Sequence, residues 1–168
     1  MSLDVDWTKV LHLTSLLINA HLAGFHYCSD AIVLDNLDEL KDSDAIVKGW
    51  FRSWDVGRRI GPASTMIPTV GYAICAWNAG IGGPSFNWNV VAAFSMLTIT
   101  SFTVINVFPI NDVLLAAHKK VVGAKSSDSA LNSASIRRNV AAWKAGDRIR
   151  MYLARLAVVA GAMATLAV

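Results

Sequence analysis

The sequence has little of what a soluble domain needs at its surface. Charged residues make up only 16% of it, against about 25% in typical soluble domains. Proline is held to four residues and cysteine to two, Cys28 and Cys75, which match no metal-ligand spacing and set up no disulfide framework. No basic leader precedes the first apolar run, which follows the acidic Met1–Asp6 stretch. A cleavable signal peptide is therefore not expected, and the first helix would serve as its own anchor. No internal repeat and no disordered composition stand out. What remains is apolar: 54% hydrophobic residues and a mean hydropathy of +0.44 over 168 residues, the length of one domain.

Four stretches reach the roughly 20 mostly apolar residues that a membrane crossing needs. They are about Val10–Cys28, Pro62–Ala79, Trp88–Ile110 and Ile149–Val168, which predicts an all-α fold, a four-transmembrane-helix bundle in a single membrane domain. Asn78–Asn89 holds Gly82, Gly83 and Pro84 without charge and reads as a tight turn. Asp30–Arg59 and Asn111–Arg148 read instead as long charged connections, and an even number of spans puts both on one side. Counting Arg150, thirteen of the fifteen Lys and Arg lie there, leaving Lys9 and Arg155. The positive-inside rule assigns those loops to the cytosol. The expected setting is the endoplasmic reticulum or a related endomembrane, with the lipid bilayer as partner and no nucleic acid despite a pI near 9.0. Lys125–Ser135, rich in Ser and Ala, reads as flexible. Ile46, Val47, Trp50, Phe51 and Trp54 recur at helical spacing, which predicts an amphipathic helix lying in the membrane interface.

The polar residues inside these runs are patterned. His12, Ser15, Asn19 and His26 are spaced 3, 4 and 7, one stripe of a helix, with His21 on the opposite side. Such a stripe in hydrocarbon serves either interhelical hydrogen bonds or a functional cavity. Asn106 closes the third run, followed by Pro109, Asn111 and Asp112. Trp143, Asp147 and Arg150, spaced 4 and 3, share a face at the start of the fourth. In the expected topology these groups gather with His26 and Trp50–Gly57 at the cytosolic mouth, where a pocket would suit a flat apolar substrate.

Three short motifs, in order along nearly the whole chain, resemble the anthrone oxygenase-like family of small integral membrane proteins. They are Trp50-Phe51-Arg52-Ser53-Trp54-Asp55-Val56-Gly57 followed by Pro62, Phe108-Pro109-Ile110-Asn111-Asp112-Val113-Leu114, and Trp143-Lys144-Ala145-Gly146-Asp147-Arg148-Ile149-Arg150. His21-Leu22-Ala23-Gly24 is similar to the family's small-residue step in the first span. Asp147 stands where the family pattern has an amide or imidazole, and Asp35 where many relatives have proline. The resemblance implies conversion of an anthrone-like polycyclic phenol to a quinone with dioxygen, as a step of secondary-metabolite biosynthesis, with no cofactor beyond dioxygen. It suggests His26 as general base, Arg150 and Asn111 as oxyanion donors and Asp147 beside them. Trp50, Trp54 and Trp143 would stack on the substrate rings, with Asn106 and Asn19 as further polar contacts.

Two other classes stay open. In a haem- or metal-binding oxidoreductase, His26 and His118 are the candidate ligands; His12 is about 21 Å of helix rise from His26 and cannot share its metal. The third class is a non-enzymatic membrane scaffold for a biosynthetic pathway. The small residues Ala157, Ala160 and Gly161–Ala164 suggest a homo-oligomer.

Overall fold

The computed structural model describes residues 5–123 and 131–167. They form helices and connecting turns, with no strand among them. Helix α1 (Trp7–Cys28) runs through a π-helical stretch, Ser29–Leu34, into the short α2 (Asp35–Asp38). Helix α3 (Ser43–Ala79) follows, then α4 (Phe86–Phe102), a second π-helical stretch at Thr103–Val107, α5 (Phe108–Gly123) and α6 (Ser133–Leu166).

The helix starts are written in the sequence. Asp6 accepts the backbone N–H groups of Thr8 and Lys9, Asp42 those of Asp44 and Ala45, and Asn132 that of Ser135, each side chain satisfying amides that a first turn leaves unpaired. The turn after α3 rests on Gly80 and Gly82, whose φ angles of 69° and 87° suit glycine alone among ordinary residues.

The two long charged connections turn out to be largely helical. The Lys125–Ser135 stretch lies mostly outside the described residues, and Ser133–Ser135 is already the first turn of α6. The expected interfacial helix is instead the opening of α3, which runs on through Pro62 and Pro68. Near the first proline, the Thr65 hydroxyl bonds the carbonyl oxygens of Gly61 and Pro62 at 3.0 and 3.1 Å, which helps the helix absorb it. Ile46, Val47 and Trp50 are buried in a protein core, so their apolar face is not available to a bilayer interface.

Two continuous helical lengths, Phe86–Gly123 and Ser133–Leu166, are long and apolar enough to cross a membrane. Only 28% and 33% of their most apolar windows are buried, unlike the core helix of a soluble protein.

The chain divides into two compact units. The first comprises the residues up to Gly24, Gly61–Thr100 and those from Met151 onward; its core holds Leu22, Tyr72, Met96 and Ile99 against Ala154, Ala157 and Ala160. A Cβ added to Gly161 would lie 2.6 Å from the Tyr72 hydroxyl oxygen. Ala157, Ala160, Gly161 and Ala164 of the small-residue stretch are buried inside this unit, where small side chains permit close packing, while Ala162 and Met163 are exposed. The second unit comprises Phe25–Ile60 and Ser101–Arg150. Its core is built from Leu34, Val47, Trp50, Val107, Leu114 and Trp143, among others.

Candidate functional site

The second unit holds His26, Trp50, Trp54, Asn106, Asn111, Trp143, Asp147 and Arg150. At its centre Asp147, only 1% exposed, shares one carboxylate oxygen between two donors. His26 Nδ1 donates to Asp147 Oδ1 at 2.8 Å, and Arg150 Nη2 donates to the same oxygen at 2.8 Å. Asp147 and Arg150 meet because three residues along α6 returns a side chain to the same face. His26 comes from the last turn of α1. Because a carboxylate only accepts, Nδ1 carries the proton of this bond and Nε2 is the basic nitrogen of the neutral ring.

A second pair lies in the same unit: Trp143 Nε1 donates to Asn111 Oδ1 at 2.9 Å, and both residues are buried. The bond orients the Asn111 amide so that its Nδ2 hydrogens remain donors. The Arg150 guanidinium stands 5.4 Å from the Trp143 ring centre, a cation–π contact. Three further polar atoms here are buried without a hydrogen-bond partner among the described residues: Asp147 Oδ2, Arg150 Nε and Trp50 Nε1. Buried polar groups are almost always paired, so three unpartnered atoms in one unit are unusual. Both π-helical stretches belong to this unit, one just after His26 and one just before Asn111, and such stretches recur at functional sites.

The tryptophans behave differently from expectation. Trp50 is fully buried, stacks on Trp54 with centroids 5.9 Å apart and meets Trp143 edge-on at 6.3 Å. The Arg58 guanidinium covers Trp54 at 5.2 Å. These rings pack on one another and on cations, so they form a wall rather than three open stacking platforms. Asn106 is exposed, its amide donating to the Phe102 carbonyl of its own helix, and it does not join the cluster. Asn19 is fully buried in the first unit; with its amide oriented to satisfy both atoms, it donates to Ala154 O at 3.3 Å and accepts from Val158 N at 3.0 Å. That is the interhelical role, and it removes Asn19 from the candidate site. His12 and Ser15 of the same stripe are likewise buried.

His118 stacks flat on Phe51, centroids 3.7 Å apart, while His26 is held by Asp147, so the two rings expected as alternative metal ligands have separate partners. Among the described residues no three His, Cys, Asp or Glu side chains gather as a metal-binding set. Burial and the nearby Lys48 hold the His118 pKa below the usual 6.5.

Reading the charged connections as loops missed a set of ion pairs. Arg148 Nε donates to both oxygens of Asp30 at 2.9 Å. Lys144 bonds Asp35 and also Asp38, the latter at 2.8 Å. The hydrogen bond and charge of Lys144 hold Asp35 below the usual 3.8. Burial opposes the Lys144 charge, but the two aspartates outweigh it and raise that pKa above 10.5. Ser29 and Ser53 also pair, at 3.0 Å. The available signal was the spacing of Lys144, Asp147, Arg148 and Arg150 on successive helical turns.

No curated protein and no solved structure matches the chain. A family model described as anthrone oxygenase matches residues 50–160, more than half of the chain. The matched stretch contains Trp50, Asn111, Trp143, Asp147 and Arg150, whereas His26 precedes it and enters the cluster through geometry alone. On that match, the chain belongs to the anthrone oxygenase family.

Proposed function

We propose that the protein is a membrane-embedded oxygenase that converts an anthrone-like polycyclic phenol to its quinone with dioxygen, using His26 as general base. The observation that carries this is the buried Asp147 carboxylate holding His26 Nδ1 while Asp147 Oδ2, Arg150 Nε and Trp50 Nε1 stay unpartnered. An anthrone's methylene carbon is acidic because its carbanion is an aromatic, phenolate-like enolate. His26 Nε2 takes the methylene proton, and Asp147 stabilises the resulting imidazolium. Arg150, Asn111 Nδ2 and Trp50 Nε1 supply donors for the enolate oxygen, while Asp147 Oδ2 accepts from a substrate hydroxyl.

The carbanion then gives two electrons to dioxygen as a carbon–oxygen bond forms. The proton on His26 converts the peroxide anion to a hydroperoxide. Removal of the remaining proton from that carbon expels hydroxide, giving the carbonyl and one water. One oxygen atom of dioxygen stays in the product and the other leaves as water, so the balance closes without another reductant.

A four-span membrane arrangement is part of this proposal and would suit a greasy substrate; two helical lengths, Phe86–Gly123 and Ser133–Leu166, are long and apolar enough to span. In the first unit, large apolar side chains are exposed on all four helical segments: Leu17 on α1, Ile67 and Trp77 on α3, Phe94 on α4, and Val159 on α6. Exposed apolar surface on this scale suits hydrocarbon rather than water.

The test is turnover of an anthrone in air by protein held in nanodiscs, followed by quinone absorbance and by the product's mass under ¹⁸O-labelled dioxygen. Turnover above the spontaneous rate with one labelled oxygen in the new carbonyl is expected, and His26→Ala is expected to fall to the spontaneous rate. A His26→Ala protein that folds and turns over unchanged overturns the assignment.

A further inference from the structure

The first unit contains a partly open cavity of about 350 Å³ that the reaction above does not use. Its lining includes His12, Leu13, Cys75, Asn89, Ala164 and Thr165, and its size lies at the lower end of the range for small-molecule sites. Asn89 is 2% exposed, and its Nδ2 donates to Ser85 O at 3.1 Å. That bond fixes the amide so that Oδ1 is the free end, buried without a donor among the described residues. His12, also buried, sits with Nε2 at 2.9 Å from Gly161 O. A carbonyl oxygen only accepts, so Nε2 carries the proton and Nδ1 is the acceptor of the neutral ring.

The charged groups at the cavity are Asp6 and Lys9, which pair with each other at 3.8 Å and leave no uncompensated charge to select an ion. Leu13 and Ala164 supply apolar wall. The chemistry is therefore that of an uncharged, largely apolar molecule with a hydrogen-bond donor at one end. We propose that this cavity is a second ligand site, binding a hydroxyl group on an apolar body through Asn89 Oδ1, with the carbon skeleton against Leu13 and Ala164. An aromatic phenol and an aliphatic alcohol share that chemistry.

Cys75 provides a local reporter, since it lines the cavity and the other cysteine, Cys28, is exposed and removable. In a full-length Cys28→Ser protein in nanodiscs, the rate at which a small methanethiosulfonate modifies Cys75 is measured with 1-naphthol, with 1-octanol, and with the methyl ether of each. The hydroxyl compounds are expected to slow modification at least threefold at saturation, and the ethers, which lack the donor, to leave it unchanged. Protection by naphthol but not octanol assigns an aromatic ligand; the reverse assigns an aliphatic one. Asn89→Leu, where it folds, abolishes the difference between alcohol and ether. Equal protection by ether and alcohol, no protection by either alcohol, or a Cys75 that never reacts would each overturn the proposal, and the comparison within one protein does not depend on any Asn89 variant folding.

Discussion

His26 Nδ1 and Asp147 Oδ1 lie 2.8 Å apart across 121 residues of sequence, with side chains 6% and 1% exposed. A charge so placed needs compensation, and Arg150 supplies it through the same oxygen. The cluster therefore acts as a unit: altering one member changes the burden on the other two.

Asp147→Asn keeps the shape but removes the charge. Turnover is expected to fall by about 10²–10⁴, the range for losing general acid–base assistance. Stability should also fall, by about 3 kcal/mol or more, because Arg150 is left buried with its charge unmatched. The double variant Asp147→Asn/Arg150→Gln should recover much of that stability and none of the turnover. Thermal unfolding and anthrone oxidation measured on the same preparations separate the two effects.

The Trp143–Asn111 hydrogen bond is open to a double-mutant cycle. Trp143→Phe leaves Asn111 Oδ1 buried without its donor, and a loss of about 1–3 kcal/mol is expected. Asn111→Leu orphans Trp143 Nε1 in the same way. The double variant, which removes both partners, should cost less than the sum of the singles by about 1 kcal/mol or more. Additive losses in denaturant titration would mean that the bond does not couple the two residues.

Acidification should weaken the protein in two stages. His118 has its folded pKa below 6.5, so its contribution is complete above 6.5 and is lost as pH falls through the folded value. Asp35 has its folded pKa below 3.8, so its contribution is complete above 3.8 and is lost only on further acidification. Lys144 has the opposite sign: raised above 10.5, it contributes fully below 10.5 and is lost as pH climbs through the folded value. A melting series from pH 8 to 3 should show an upper step that His118→Gln removes, and a lower one that Asp35→Asn diminishes.

Much of this was legible from residue types and spacing. The stripe His12, Ser15, Asn19 and His26 identified a buried face, because 3.6-residue periodicity is a local property of one helix. The spacing of Trp143, Asp147 and Arg150 placed them on one side of α6 for the same reason. What spacing does not encode is which side chain across the fold completes a bond. Asp147 could be put beside Arg150 but not against His26, and Trp143 could not be matched to Asn111. Trp50 departs from its expected place at the membrane interface for a related reason. An amphipathic face looks the same whether it meets lipid headgroups or a protein core, and only the packing of Leu34 and Leu114 with it distinguishes them.

Gly71 tests the packing of the first unit without touching the proposed chemistry. A Cβ at Gly71 would fall far inside van der Waals contact of Ser15 Oγ and 3.2 Å from the Ser15 Cβ. The Ser15 hydroxyl cannot turn away freely, because it donates to the Leu11 carbonyl at 2.8 Å. Gly71→Ala should thus destabilise by about 1–3 kcal/mol, the usual cost of overpacking. Ser15→Ala removes the obstructing oxygen and, since that hydrogen bond stays within its own helix, should be nearly neutral alone. The double variant Ser15→Ala/Gly71→Ala should then be more stable than Gly71→Ala by most of the lost amount. Failure of that rescue in thermal unfolding would mean that α1 and α3 do not approach so closely at this point.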